Sequence, residues 1–177
     1  GLPDNASGSI DLVAAKGTIA GQPYDDLKTK INFNGTIIDF ETIEMAVAGG
    51  KLSGKGSFDR ARANYAFELA ARSIPLATII SIFPQNDSIP AISGSTDLTV
   101  SFSGNADRNE ALVVNGNGTA RGVVVGENSL GDIVFDASTA DQKLTTKLTI
   151  GFDGRPQVVN AVVDFSKESL PLTASAE

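Results

Sequence analysis

From one end of the chain to the other, apolar residues fall on alternate positions, in runs separated by clusters of Gly, Asn, Asp and Ser. A period of two marks a strand with one buried and one wet face. Residues 9–16 put Ile10, Leu12 and Ala14 on one side. Residues 27–34 set Leu27, Thr29, Ile31 and Phe33 against Lys28, Lys30, Asn32 and Asn34. Residues 42–48 carry Ile43, Met45 and Val47, and Gly49-Gly50 then supplies the positive φ angles of a tight hairpin. Residues 52–58 alternate through Gly54 and Gly56, residues 57–62 read as a turn, and residues 64–71 align Tyr65, Phe67 and Leu69.

One segment departs from this pattern. After Ser73, a cap residue, Leu76, Ile79, Ile80 and Phe83 recur at helical spacing, and Pro84 closes the stretch. The spacing predicts a short amphipathic helix over 76–83, laid over the open end of a sheet. Alternation then resumes over 94–103 with Leu98, Val100 and Phe102, and over 111–120 with Leu112 and Val114. A short piece at 123–125 follows. Further strands are expected at 131–137 with Ile133 and Phe135, at 143–152 with Leu144, Leu148 and Ile150, at 157–165 with Val163 and Phe165, and from 169 onward. Asp153-Gly154-Arg155-Pro156 reads as a reversal. A weak echo pairs Gly8-Ser9-Ile10-Asp11-Leu12 with Gly94-Ser95-Thr96-Asp97-Leu98, which suits a repeated strand module.

An all-β, antiparallel sheet of about a dozen strands would be roughly 55 Å wide at the usual interstrand spacing, and a sheet of that width must bend. An open trough, a flattened barrel and a packed sandwich would each cover its apolar face. Many inward positions are small, as in the series Leu112, Val114, Gly116, Gly118 and Ala120. Small residues are expected to leave room between the walls, and an apolar ligand such as an acyl chain would suit that space. The apolar members of the runs named above are therefore the candidate lining, with Leu76, Ile79, Ile80 and Phe83 as the cap.

Composition narrows the chemistry. The 177 residues contain no Cys, His or Trp and carry a net charge of −7. Disulfides, thiolate nucleophiles, imidazole bases and zinc sites built on Cys or His are thereby excluded. An acidic chain would be repelled by phosphate backbones, so nucleic acid is not an expected partner. Asp25-Asp26 lacks calcium-loop spacing and reads as a turn. Gly116-Asn117-Gly118 is followed by no Lys-Ser/Thr and opens no helix, so it is not a phosphate cradle. Arg60, Arg62, Arg72, Arg108 and Arg121 are dispersed over what read as solvated faces. Neither catalysis nor a cofactor is expected. No linker divides residues 1–177, which read as one domain and as a segment of something longer.

Three stretches resemble the TamB and AsmA-like envelope proteins: the Gly-rich hairpin from Ala48 through Gly54-Lys55-Gly56 to Asp59, the short helix followed by Ile89-Pro90-Ala91-Ile92-Ser93-Gly94, and the tail from Val162-Val163-Asp164-Phe165 to Ser169-Leu170-Pro171-Leu172. The resemblance implies a taco-like folded sheet lined with aliphatic side chains. It also implies a place in a long periplasmic protein of a Gram-negative bacterium, anchored at the inner membrane. Such a protein is expected to carry phospholipid acyl chains between inner and outer membranes, beside neighbouring modules of its own chain. An outer-membrane barrel is implied as a partner, which makes an edge-pairing scaffold the alternative role.

Overall fold

The computed structural model describes residues 5–19, 21–81, 90–152, 155–164, 166 and 172–176. Eleven strands form one antiparallel sheet in sequence order: β1 (Ser7–Ile19), β2 (Gln22–Asn34), β3 (Ile37–Val47), β4 (Gly50–Asp59), β5 (Asn64–Pro75), β6 (Ile92–Asn105), β7 (Arg108–Val125), β8 (Asn128–Ala140), β9 (Lys143–Phe152), β10 (Arg155–Asp164) and β11 (Leu172–Ala176). β1 and β11 are the two edges, so the sheet is open; the flattened barrel is not formed. Among the described residues no second sheet covers the apolar face, so the packed sandwich of two sheets is not formed either. Among the described residues no helix is long and apolar enough to cross a membrane.

The strands are longer than the alternation predicts, because β-bulges hide their continuation by switching parity. β3 carries Ile38 and Phe40 inward, takes up a bulge between Phe40 and Ile43, and continues inward through Ile43, Met45 and Val47. In β2, Asp25 and Asp26 are not a turn but strand residues at a bulge, with Asp26 at φ 54°. The piece expected at 123–125 is the end of β7, reached across a bulge between Ala120 and Val123. The hairpin after Val47 turns on Ala48 and Gly49, both at positive φ, while Gly50 already pairs with Val47. Asp153-Gly154 lies outside the described residues, whereas Arg155 and Pro156 belong to β10 rather than to a turn.

The helix, α1 (Leu76–Ile80), is shorter than expected and begins after Pro75 without a side-chain cap. Ser73 is not that cap: it sits in β5 at φ 54°, and its N–H donates to Asp97 Oδ1 at 2.8 Å. Phe83 lies outside the described residues.

Apart from Leu27 in β2, the buried apolar side chains gather with the buried Thr96 where the bulges of β5 and β7 adjoin: Ala71, Ile74, Ala120 and Val123. Two carboxylates tie this crease together. Asp97 also accepts from Arg121 at 2.6 Å, and Asp132 accepts the Gly122 N–H at 3.0 Å. The buried Thr96 hydroxyl donates to the Thr119 carbonyl, as a polar group removed from water must.

Candidate functional site

Cross-strand partners share a face of a sheet, and the register therefore decides which residues stand together. Leu12 pairs with Thr29, Thr29 with Ile43, Ile43 with Gly54, Gly54 with Leu69, Leu69 with Val100, and Val100 with Gly116. A second row runs Met45, Leu52, Ala71, Leu98, Gly118, Phe135, Leu148 and Val159. Ile10 and Ile31, Phe33, Tyr65, Phe67 and Phe102, Leu112 and Val114, Ile133 and Ile150, and Leu144 and Val163 lie on that same face. Phe165 lies outside the described residues. The opposite face carries the ion pairs Lys30–Glu41, Lys55–Glu68 and Arg121–Asp97.

The shared face is not one uniform groove. At the α1 end it forms a half-open apolar cavity of about 310 Å³, bordered by Ile19, Gln22 and Tyr24 on one wall, by Leu69, Ala71, Ile74, Leu98 and Val100 on the other, and by Met45, Val47 and Leu52 between them. Thr78 and Ile79 of α1 also border it. β2 and β6 are four interstrand steps apart, roughly 19 Å in a flat sheet, so a common cavity requires the sheet to fold over there. Gln22 Nε2 donates to Ser81 Oγ at 3.0 Å, tying the β1–β2 corner to the end of α1.

At the other end of the strands the face is filled with rings. Phe40 and Phe67 lie 5.8 Å apart, Phe67 and Phe102 stack at 5.4 Å, and Tyr65 meets Phe102 at 6.2 Å. Between Phe40 and Phe67 runs β4, whose residue at that register is Gly56. A Cβ on Gly56 would lie 2.1 Å from the Phe67 ring, so the glycine is what lets the ring lie flat over the backbone. The polar side of the sheet is hollowed behind these rings. Asn32 of β2 and Asn115 of β7 border one cleft of about 620 Å³. A sheet concave on opposite faces at its two ends is strongly twisted.

This geometry corrects the expectation about small residues. Gly116, Gly118 and Ala120 do not border the cavity; a Cβ on Gly118 would lie 2.6 Å from the Phe135 ring, so a neighbour already occupies the space the glycine leaves. Among the proposed lining residues, Met45, Val47, Leu69, Leu98 and Val100 border the cavity, together with Ile79 from the cap. The other described ones lie on the apolar face outside it, and Leu76 and Ile80 do not border it. Sequence reasoning missed Ile19, Gln22, Tyr24, Leu52, Ala71, Ile74 and Thr78. Pro23 and Asp25-Asp26 concealed the start of β2, Ile74 fell between the expected strand and the expected helix, and Leu52 stood in an expected strand without being singled out.

The titratable groups brought together are surface pairs. The Arg121 guanidinium, and after it the Ser73 N–H, hold the Asp97 carboxyl below the usual carboxylate range. Lys30 and then Asn32 do the same for Glu41. Among the described residues no three His, Cys, Asp or Glu side chains converge as a metal site would require.

An open antiparallel sheet with an apolar face, one short helix and a crease of bulges is the class of protein defined here. The AsmA family matches residues 4–122, and the chain belongs to that family, which is associated with the cell envelope. No curated protein and no solved structure matches the chain.

Proposed function

We propose that this chain is a non-enzymatic segment of a periplasmic lipid conduit, part of a longer protein anchored at the inner membrane, whose apolar face shelters phospholipid acyl chains passing between inner and outer membranes. One observation carries the reading: among the described residues no second sheet lies over the apolar face of the eleven-stranded sheet, and at one end that face forms a half-open cavity bordered mainly by aliphatic side chains. Sheltering each CH₂ contributes about 0.8 kcal/mol. Contacts without directional preference would still let a chain slide.

Native mass spectrometry of the purified segment, with Val100→Asp beside it, tests the reading. Bound phospholipid is expected on the parent protein and not on the variant, with circular dichroism confirming that the variant folds. A lipid-free parent in a phospholipid-containing preparation refutes it.

A second reading, a scaffold that pairs with a barrel strand or a neighbouring module, is favoured by the β1 edge. β1 is 13 residues long and leaves Ile10 50%, Leu12 40% and Val13 73% exposed, which invites strand addition. Leu12→Pro and Val13→Pro separate the roles. Adjacent N–H groups of a strand point opposite ways, so one of the two removes only an outward donor. That variant should lose partner pairing and keep lipid.

A further inference from the structure

The geometry points to the occupant of the α1-end cavity: one hydrocarbon chain of an amphiphile, inserted tail first, with its headgroup left outside. This rests on the reading of the apolar face as an acyl-chain surface and goes beyond it by fixing how many chains enter, which end leads, and what the site ignores. Three observations converge.

The first is size. An apolar cavity of roughly 150 Å³ accommodates one benzene molecule. The 310 Å³ here therefore has room for about twice as many carbons, on the order of a dozen. That is a segment of one chain and not two tails side by side.

The second is polarity. Among the described residues no side chain bordering the cavity carries a charge, and the polar side-chain atoms there belong to Gln22, Tyr24 and Thr78. A phosphate or carboxylate would enter without a counter-charge, which low-dielectric surroundings penalise heavily, so the charged end stays in water. Gln22 is already engaged with Ser81.

The third is position. Thr78 and Ile79 of α1 border the half-open cavity, and the Gln22–Ser81 hydrogen bond spans the corner beside them. An uncharged border of this kind meets a terminal methyl group well and a headgroup badly. The site so described is selective for a single methylene chain and indifferent to what the chain is attached to.

The chain's own fluorophores make the test local. There is no Trp, and of the two tyrosines Tyr24 borders the cavity whereas Tyr65 stands against Phe102 in the ring cluster. Tyr65→Phe leaves Tyr24 as sole reporter, and Tyr24→Phe leaves Tyr65. Each variant is titrated, below the critical micelle concentration, with a fatty acid, a lysophosphatidylcholine and a neutral monoacylglycerol, all brominated near the terminal methyl group. The expected result is a loss of at least half the Tyr24 emission that saturates at one chain per protein, with midpoints within threefold for the three headgroups and little loss for Tyr65. Bromine placed beside the headgroup should quench Tyr24 far less. Saturation at two chains, a tenfold preference for one headgroup, or stronger quenching by the headgroup-proximal label overturns the inference. Quenching of Tyr65 without Tyr24 overturns it too while leaving the acyl-chain face standing. Silence at both tyrosines overturns the inference and counts against that face as well.

Discussion

Two positions along β5 separate Phe67 from Leu69, and two along β6 separate Phe102 from Val100, yet the surroundings differ completely. Phe67 and Phe102 stack at 5.4 Å over a glycine-bearing strand, whereas Leu69 and Val100 border about 310 Å³ of open space. The contrast shows that a run of small residues does not mark where the hollow lies. Where the polar side is concave, behind the rings, the apolar side is convex and its side chains splay, so only aromatic bulk laid flat over Gly56 fills the face. At the α1 end the sheet folds toward its apolar side, its walls face each other, and medium aliphatics leave a gap that α1 borders.

Substitutions that treat the two ends differently should sharpen this contrast. Phe67→Ala removes the ring central to the stack and should cost about 3 kcal/mol, the lower end of the range for a buried Phe because Phe67 is only half-buried; the urea midpoint reports it. Gly56→Ala forces the Phe67 ring off the backbone and should cost about 1–3 kcal/mol, whereas Gly151→Ala, which would meet no atom within 4 Å, should stay within about 0.5 kcal/mol of the parent. Equal losses at the two glycines would mean that the flat ring is not what Gly56 serves. Val100→Ile adds a methylene where there is room, and should raise stability by up to about 0.8 kcal/mol. A loss on the scale of Gly56→Ala would show that the cavity end is as tightly filled as the ring end.

The smallest effect concerns the crease that separates the two ends. Asp97 titrates lower in the folded chain than unfolded because Arg121 and the Ser73 N–H favour its charged form. Its contribution is therefore present above the unfolded carboxylate value near 3.9 and is lost as pH falls through the lower folded value. Melting temperature should drop across that acid window in the parent and drop less in Asp97→Asn. Identical profiles would remove Asp97 from the acid response.

Alternation alone made the strand content, the antiparallel pairing and the apolar face legible, since a period of two admits few other structures and each residue's face follows from its parity. It failed at Phe40, Tyr24 and Ile74, each within three residues of a bulge or irregularity that shifts the parity and breaks the run into what look like turns. The AsmA resemblance was legible in the Gly-rich hairpin around Gly54 and Gly56, whose spacing reflects the rings and aliphatics that must lie over β4.

What the amino-acid order determined by itself is local: which residues extend, which alternate positions are apolar, and which chemistries are absent for want of Cys and His. Where the empty space lies was decided only in three dimensions. Bulges at Asp25–Lys28, Phe40–Ile43, Ala71–Ile74 and Ala120–Val123 set how strongly the sheet twists and folds, and that curvature brings Tyr24 and Leu98, 74 residues apart in sequence (98 − 24), to the same cavity. Such a meeting depends on the summed twist of every intervening strand, a quantity that no single run of residues encodes.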